Sequence, residues 1–358
     1  MSTQDRHTKS VGIGIVGIGF MGMIHYLAAR GLAGGRVVAV QSRDPKKLAG
    51  DWTGIRGNFG PTGSQMDLSG LNRHADFADL LRDPAVDLVD LCVPNDQHAP
   101  MAIRALEAGK HVLVEKPIAL TTRDADAMVA AAKASGRLLM VAHVLPFFPE
   151  FAYAAEAVRS GRFGALKAAQ FSRVISRPDW SAGIADADRS GGPAIDLHVH
   201  DTHFVGLLCG TPRAVHSRGV IDGGAVVHLT TQYLYDEGGP AVSAVSGALS
   251  MAGRPFAHGF EIFLERATLS YESASLAGQP PAGIPLALIL PDGTVERPAL
   301  GSGDPVDSFA LELATAVEAV ALGREAPALA GDLARRALVL CHAEIESVHT
   351  GRPVEVGT

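Results

Sequence analysis

A glycine-rich turn close to the start of the chain carries the clearest chemical signal. The run V-G-I-G-I-V-G-I-G-F-M-G begins at Val11 and precedes a helical pattern. Its three spaced glycines permit a tight turn, close backbone approach to a pyrophosphate and tight packing of the following helix. That helix would meet the anion with free N–H groups and its positive dipole end. The turn predicts a dinucleotide cofactor, nicotinamide or flavin, held by Gly17, Gly19, Phe20, Met21 and Gly22.

The residues after the second predicted strand bear on cofactor choice. A carboxylate about 20 residues past the glycine turn would bind the ribose hydroxyls of NAD and repel a 2′-phosphate. Ser42 and Arg43 stand there instead, and both can bind a phosphate, so NADP is the first expectation. Asp44 keeps NAD open, because a register shift of two residues would restore a carboxylate.

Two further segments leave apolar strands where an open α/β sheet presents its carboxyl edge, the usual ligand-binding edge. Lys116 lies directly after an apolar strand and before a proline. Its ammonium could stabilise negative charge on a substrate oxygen or relay a proton, although an ordinary surface lysine is the plainer interpretation. The residues predicted to contact the cofactor from these segments are Pro94, Asn95, His98, Glu115 and Lys116.

A dense group of histidines and carboxylates follows Gly191. If this stretch is one helix, Asp196 and His200 are four residues apart and share a face. A histidine beside a carboxylate can exchange a proton near neutral pH. We expect His198 and His203 to be interior or capping histidines, and we predict no metal.

The elements that must position these residues alternate strand and helix through the first ~140 residues, which is typical of a doubly wound parallel sheet. After Pro146 the pattern changes to a helix followed by runs that suggest longer antiparallel strands. We therefore predict an α/β Rossmann domain over residues 1–142 and an α+β domain over 143–358. The Gly-rich connection from Asp51 to Arg73 is long for such a loop, and it could be a functional flap or a mobile insertion.

The composition fits a two-domain enzyme and argues against nucleic acid and anionic membranes as partners. The net charge of −7 and the lack of a Lys/Arg cluster disfavour nucleic acid or an anionic membrane. The three cysteines, Cys92, Cys209 and Cys341, suggest buried thiols in a reducing compartment. With neither a signal peptide nor an anchor visible, a cytoplasmic location is expected.

Taken together, four motifs resemble the glucose-fructose oxidoreductase, inositol dehydrogenase and rhizopine catabolism (Gfo/Idh/MocA) family. They are the glycine turn, V-P-N-x-x-H, the run E-A-G-K-H-V-L-V-E-K-P and G-G-x-x-x-D-x-x-x-H. The resemblance implies a Rossmann domain followed by an open, mainly antiparallel sheet that often mediates homodimers or homotetramers. It also implies NAD(P)-dependent oxidation or reduction of a sugar, cyclitol or related polyol.

By motif, the resemblance makes Lys116 the lysine of the E-K-P signature, Asp196 the substrate-binding carboxylate and His200 the catalytic acid/base. Some relatives use the scaffold for epimerisation, glycoside cleavage through a transient keto sugar, or regulation. Two rival functions stay open: a regulator that binds NADPH without chemistry, and a metal-dependent hydrolase using the histidine-rich segment. The hydrolase is disfavoured because helical residues two apart face different ways.

Overall fold

The computed structural model describes residues 10–57, 59–177, 187–301 and 304–357. Contacts divide the chain into two compact units. The first is bounded by Met1–Ala119, Arg123–Val144 and Gly303–Gly331, and the second by Leu120–Thr122, Leu145–Ser302 and Asp332–Thr358. The chain therefore crosses between the units more than once. The sequence suggested a single domain boundary near residue 143, and that boundary stays a prediction.

The first unit contains a six-stranded, fully parallel sheet. Its strands are β1 Val11–Val16, β2 Gly35–Gln41, β3 Asn72–His74, β4 Leu88–Leu91, β5 His111–Glu115 and β6 Leu139–Ala142. The order β3-β2-β1-β4-β5-β6 is that of a dinucleotide-binding Rossmann sheet. Every residue of β1 and β4 is buried, as expected for strands covered on both faces. The predicted doubly wound sheet is confirmed.

Six helices belong to the first unit in the described part of the chain. They are α1 Phe20–Ala28, α2 Pro45–Leu48, α3 Phe77–Arg82, α4 His98–Glu107, α5 Thr122–Ser135 and a late helix, Pro305–Leu322. Three begin at an aspartate whose carboxylate accepts the N–H two residues on: Asp44, Asp76 and Asp304. The late helix joins this unit because its apolar face, with Phe309 and Val317, is buried against it.

The Asp51 to Arg73 connection is mostly exposed, but it is anchored by buried residues that include Trp52. Trp52 is fully buried, donates its indole N–H to the Lys47 carbonyl and lies edge-on to Tyr26 at 5.0 Å. The Tyr26 hydroxyl donates to the Asp67 carbonyl at 3.0 Å. These contacts anchor the connection to α1, and its last residues form the short edge strand β3.

The second unit is built on a nine-stranded sheet. Its strands are β7 Leu166–Ser176, β8 Ala214–Asp222, β9 Ala225–Leu234, β10 Ala241–Ser250, β11 Phe256–Leu264, β12 Ala267–Ser275, β13 Ala282–Ile289, β14 Val295–Glu296 and β15 Val354–Glu355. The order is β14-β13-β12-β11-β7-β10-β9-β8-β15, and among the strand pairs of the described residues only β7 and β10 run parallel. The predicted, mainly antiparallel second sheet is confirmed.

The described helices that accompany this sheet are α6 Pro149–Arg159, α7 Ala187–Ser190, α8 Pro193–Asp196 and α9 Val199–Cys209, and the chain closes with a helix at Gly331–Thr350. Numbered in chain order, Pro305–Leu322 is α10 and Gly331–Thr350 is α11. The core of the second unit contains Phe151, Phe171, Phe204 and Phe260. Phe151 meets Phe204 and Phe260 edge-on, at centroid distances of 5.2 and 5.1 Å. Among the described residues, no helix has the length and apolar character that a bilayer crossing requires.

Candidate active site

The glycine turn has the local geometry that a bound diphosphate needs. Gly17 has φ of +88°, and a side chain there would lie 2.6 Å from the Cys92 carbonyl oxygen. A Cβ on Gly22 would come within 2.1 Å of the Gly17 carbonyl oxygen. At Gly19, by contrast, an added Cβ meets no protein atom within 4 Å. The two outer glycines are required by the fold, while the middle one borders open space.

The amides at the start of α1 face the same turn. Gly19 is the N-cap residue, without a side-chain cap, and the first helical turn holds no acidic residue. Met23 donates the first hydrogen bond of the helix, to the Gly19 carbonyl. The backbone N–H groups of Phe20 and Met21 come before it and are not used within the helix. A helix start with unused N–H groups and no competing carboxylate favours an anion. The residues present therefore fit the diphosphate of a dinucleotide.

At the end of β2 the polar side chains already have local partners. The Ser42 hydroxyl accepts the Asp44 N–H at 3.2 Å, and Ser42 is buried. The Asp44 carboxylate accepts the Lys46 N–H at 2.9 Å as the cap of α2. Arg43 is exposed. Asp44, the residue that left NAD open, is thus engaged as a helix cap, while the Arg43 guanidinium faces solvent.

His98 connects the loops that follow β4 and β5. The ring is fully buried, with Nδ1 2.8 Å from the Pro117 carbonyl and Nε2 3.0 Å from the Val93 carbonyl. Burial lowers the pKa of His98, against the effect of the two carbonyls. Pro94 and Asn95 lie in the loop after β4, at the turn that leads into α4. Because both ring nitrogens face backbone carbonyls, we assign His98 to holding the two loops together.

Glu115 ends β5 and Lys116 follows it. Glu115 is buried, and its Oε2 accepts the backbone N–H of Lys116 at 3.1 Å. Its Oε1 lies 3.1 Å from Nε2 of His25, within ion-pair distance. The Glu115 carboxylate is therefore turned toward the interior of the first unit. Lys116 itself is half-buried.

Sequence reasoning missed a buried polar cluster beside this strand end. His25 Nδ1 lies 2.9 Å from the Asp90 carboxylate and 3.5 Å from the Cys92 sulfur. Burial alone would lower the pKa of His25, yet the Asp90 charge and the hydrogen bonds to Asp90 and Cys92 raise it well above its ordinary value. Burial raises the pKa of the Glu312 carboxyl, a neighbour from α10. The available signal was a carboxylate inside a fully buried strand, which needs a partner.

The histidine-rich segment is not one continuous helix, so that prediction is wrong. Helix α8 ends at Asp196, and α9 begins at Val199. Between them the His198 N–H donates back to the Pro193 carbonyl, and the Asp201 N–H donates to the His198 carbonyl. Leu197 and His198 keep right-handed backbone angles, so the break is an irregular turn between two helices, and a shared face for Asp196 and His200 stays a prediction. Both are half-buried, and their catalytic roles stay predictions.

The break coincides with the burial of His198. Its Nδ1 lies 2.8 Å from the Ser246 hydroxyl, and its Nε2 lies 2.9 Å from the Glu344 carboxylate. Burial would lower the pKa of His198, but the Glu344 charge raises it. Burial lowers the pKa of His203 to about 3. Both histidines are interior, as predicted, which argues against using them as ligands of a hydrolytic metal.

A second buried pair anchors α9 to the sheet. The Arg173 guanidinium donates to both Asp201 oxygens, at 2.8 and 3.1 Å, and the two side chains are almost completely buried. Such a forked pair fixes orientation as well as charge. It was not predicted, because it joins residues on a strand and a helix 28 positions apart.

The cysteines only partly match the expectation of three buried thiols. Cys341 is buried, whereas Cys92 and Cys209 are half-buried, and all three are free. Cys92 and Cys209 each adjoin the end of a regular element, next to residues of intermediate exposure. Burial raises the pKa of the Cys209 thiol to about 11, so it is a neutral thiol near pH 7.

Comparison with known proteins gives consistent matches along the chain. A relative from Comamonas testosteroni, 1-carboxy-3-chloro-3,4-dihydroxycyclo hexa-1,5-diene dehydrogenase, is 32% identical over 202 residues, covering 55% of this chain and 47% of the relative. Inositol 2-dehydrogenase of Rhizobium meliloti is 29% identical over 201 residues, covering 56% of each chain. The matched regions thus span about half the length of these relatives.

Solved structures show the same fold. Levoglucosan dehydrogenase in complex with NADH and levoglucosan superposes with a TM-score of 0.79 at 21% identity, covering 97% of this chain and 100% of that one. The profile for the oxidoreductase family with an NAD-binding Rossmann fold matches residues 11–143. The profile for the GFO/IDH/MocA C-terminal domain matches residues 151–270. With both domains matched in order, the chain belongs to the GFO/IDH/MocA family.

Proposed function

We propose that the protein is an NAD(P)-dependent oxidoreductase that acts on a hydroxyl or keto carbon of a sugar, cyclitol or related polyol. One observation carries the proposal: the glycine turn is closed to side chains at Gly17 and Gly22 but open beside Gly19, at a helix start without acidic residues. A bound nicotinamide supplies the atom that accepts or returns a hydride. The relatives named as a diol-type dehydrogenase and an inositol dehydrogenase support the substrate class.

The residue roles that we propose follow from their chemistry. The Lys116 ammonium stabilises negative charge on the reacting oxygen, directly after strand β5. His200 takes the hydroxyl proton in oxidation and returns it in reduction. The Asp196 carboxylate binds an adjacent hydroxyl. Pro94 and Asn95, at the turn after β4, contact the cofactor.

We propose NADP as the first choice of cofactor, with NAD as the second. The exposed guanidinium of Arg43 and the hydroxyl of Ser42 suit a 2′-phosphate. The Asp44 carboxylate supports this choice, because it caps α2 and has less freedom to bind a ribose. An Arg43→Ala variant should lose affinity for NADPH and keep its affinity for NADH, as measured by fluorescence titration of each cofactor.

We also propose a homodimer or homotetramer. Large apolar side chains stay exposed on strands of the nine-stranded sheet, including Val220, Ile221, Leu249 and Ile284. Apolar side chains at the surface of a sheet are of the kind that subunits bury when they associate. Light scattering would give the assembly size. The cytoplasmic location stays a prediction that cell fractionation can test.

The direct test is a substrate panel. Sugars, cyclitols and keto sugars are offered with NAD and NADP separately, and absorbance is followed at the reduced nicotinamide band. A Lys116→Met variant should lower turnover by about 10²-fold and leave the cofactor dissociation constant nearly unchanged. Lys133→Met, an exposed lysine of α5, is the matched control and should behave as wild type. Wild-type turnover by Lys116→Met would refute the catalytic role proposed for Lys116.

Transient redox chemistry is the second candidate, because the same residues could oxidise and re-reduce one substrate. Product analysis separates the two: an isomerised or cleaved sugar without net nicotinamide change would favour it. If cofactor binds but no compound of the panel is turned over or altered, a regulatory role becomes the better interpretation.

A further inference from the structure

His25 bridges the ends of two neighbouring parallel strands. It lies on the inner face of α1 and is fully buried. One ring nitrogen, Nδ1, is 2.9 Å from the Asp90 carboxylate in β4. The other, Nε2, is 3.1 Å from Oε1 of Glu115, the last residue of β5. The Nε2–Oε1 contact is an ion pair by distance, and neither atom takes part in a hydrogen bond among the described residues, so opposite charge is what offsets the burial of both.

This arrangement favours a doubly protonated ring. Asp90 is hydrogen-bonded to Nδ1, Glu115 lies within ion-pair distance of Nε2, and both negative charges favour the protonated ring. The third nearby carboxyl, Glu312, is buried in α10, and burial raises its pKa, so it adds little negative charge. The cluster is then a positive imidazolium held between two negative groups, the balanced state that a buried charge requires.

The Glu115 carboxylate continues the chain of contacts outward. While Oε1 faces His25, Oε2 accepts the backbone N–H of Lys116 at 3.1 Å. A single buried carboxylate therefore connects the imidazolium to the peptide that carries the proposed reactive lysine. The ion-pair contact with His25 orients the Glu115 carboxylate, and the hydrogen bond to Oε2 holds the backbone N–H of Lys116.

We propose that His25 is a positioning residue that sets the backbone of Lys116 through Glu115. The inference rests on the proposed function only for its catalytic consequence. The structural part, that substitution of His25 moves the Lys116 peptide, stands by itself. Small misplacements of a reacting group can cost up to about a hundredfold in rate, so the effect is measurable in turnover.

A metal site is the competing interpretation of the same residues. The Nδ1 of His25, a carboxylate oxygen of Asp90 and the sulfur of Cys92 lie close enough to share an ion. Two ligands of a tetrahedral zinc at its usual bond lengths lie about 3.3 Å apart. The Nδ1 to Asp90 distance of 2.9 Å is shorter and is that of a charge-assisted hydrogen bond. We therefore interpret the cluster as a proton-bearing one.

The test is a backbone measurement that needs no activity. The chain has seven lysines, so ¹⁵N-lysine labelling gives a sparse amide spectrum, with Lys116 assigned by a Lys116→Arg variant. His25→Gln keeps a donor but loses the charge and the second contact. It should shift the Lys116 amide resonance and leave that of Lys133, in α5, in place.

The matched control is another histidine–carboxylate pair of the same unit. His74 Nε2 lies 3.0 Å from Asp83, at the edge strand β3, far along the sheet from the end of β5. His74→Gln should leave the Lys116 amide unmoved. Should His25→Gln fail to fold, Asp90→Asn removes the negative charge beside Nδ1 of His25 without altering Glu115, and it carries the same prediction for the Lys116 amide. An unmoved resonance in the folded variant, or an equal shift in His74→Gln, would overturn the inference.

The activity arm separates the inference from the proposed function. With saturating cofactor and substrate, His25→Gln should lower kcat by about tenfold or more and change the cofactor dissociation constant by less than about twofold. The double variant with Glu115→Gln should be no slower than the slower single variant, because both act through one contact. If Lys116→Met is slow but His25→Gln is not, the positioning role is refuted. If Lys116→Met is fully active while the amide still shifts, the proposed catalytic role fails and the positioning stands.

Discussion

Substitution of Gly19 by alanine separates cofactor binding from stability. An added Cβ at Gly19 meets no protein atom within 4 Å, and the φ of −104° is open to any residue. The free energy of unfolding should therefore change by at most about 1 kcal/mol, the scale of an N-cap change. The methyl group would nevertheless fill the space through which a diphosphate approaches the turn.

The size of the affinity loss follows from one broken contact. A hydrogen bond to a charged group contributes about 1.5–3 kcal/mol, which corresponds to about 10- to 150-fold in the dissociation constant. We expect NADPH or NADH binding to weaken by that factor, measured by fluorescence titration. Urea unfolding of the same protein gives the stability.

Gly22→Ala is the matched comparison. There the Cβ would lie 2.1 Å from the Gly17 carbonyl oxygen, so α1 must shift and stability should fall by about 1–3 kcal/mol. Cofactor affinity should fall as well, because the turn is distorted. Unchanged cofactor affinity in a well-folded Gly19→Ala variant would refute the assignment of this turn to a diphosphate.

Three further outcomes are expected. Asp201→Asn leaves the Arg173 charge buried without its partner and should destabilise the protein by about 3–5 kcal/mol in urea unfolding, while Arg177→Gln, which breaks an exposed pair, should cost less than about 1 kcal/mol. The pKa of His198 is raised in the folded state, so its contribution to stability is complete below pH ~6.5 and is lost as pH rises through the raised value. The free energy of unfolding should therefore fall over that pH window. The fall should be smaller in Glu344→Gln, which lacks the charge that raises the pKa. Treatment with EDTA should leave turnover unchanged, and a loss restored by zinc would contradict the assignment of the cluster of His25, Asp90 and Cys92 to hydrogen bonding.

The parts of the site that sequence could predict are local ones. The glycine turn and the segments after β4 and β5 depend on a few consecutive residues, so spacing and the apolar runs before them were sufficient. Helix α5, Thr122–Ser135, likewise has local signals at both ends, with threonines at its start and Gly136 directly after it.

The parts that were missed depend on distant contacts. The His25–Asp90 bond joins residues 65 positions apart, and neither neighbourhood signals the other. The break before α9 has no proline or glycine to mark it. It accompanies the burial of His198 against Glu344, which lies in the last long helix. Strand β8 gives a weak signal, because its last five residues, which include the apolar Val220 and Ile221, are all exposed and do not alternate with buried ones.

The late helix α10 has a consequence for how the protein is made. It covers α1 within the first unit, with Phe309 5.9 Å from the His25 ring and Val317 against Gly35. It is translated roughly 160 residues after Val144, which corresponds to about 10–30 s of synthesis. Until then the nascent nucleotide-binding unit lacks one of its walls, and an expression fragment that stops at Val144 would expose that apolar surface to aggregation.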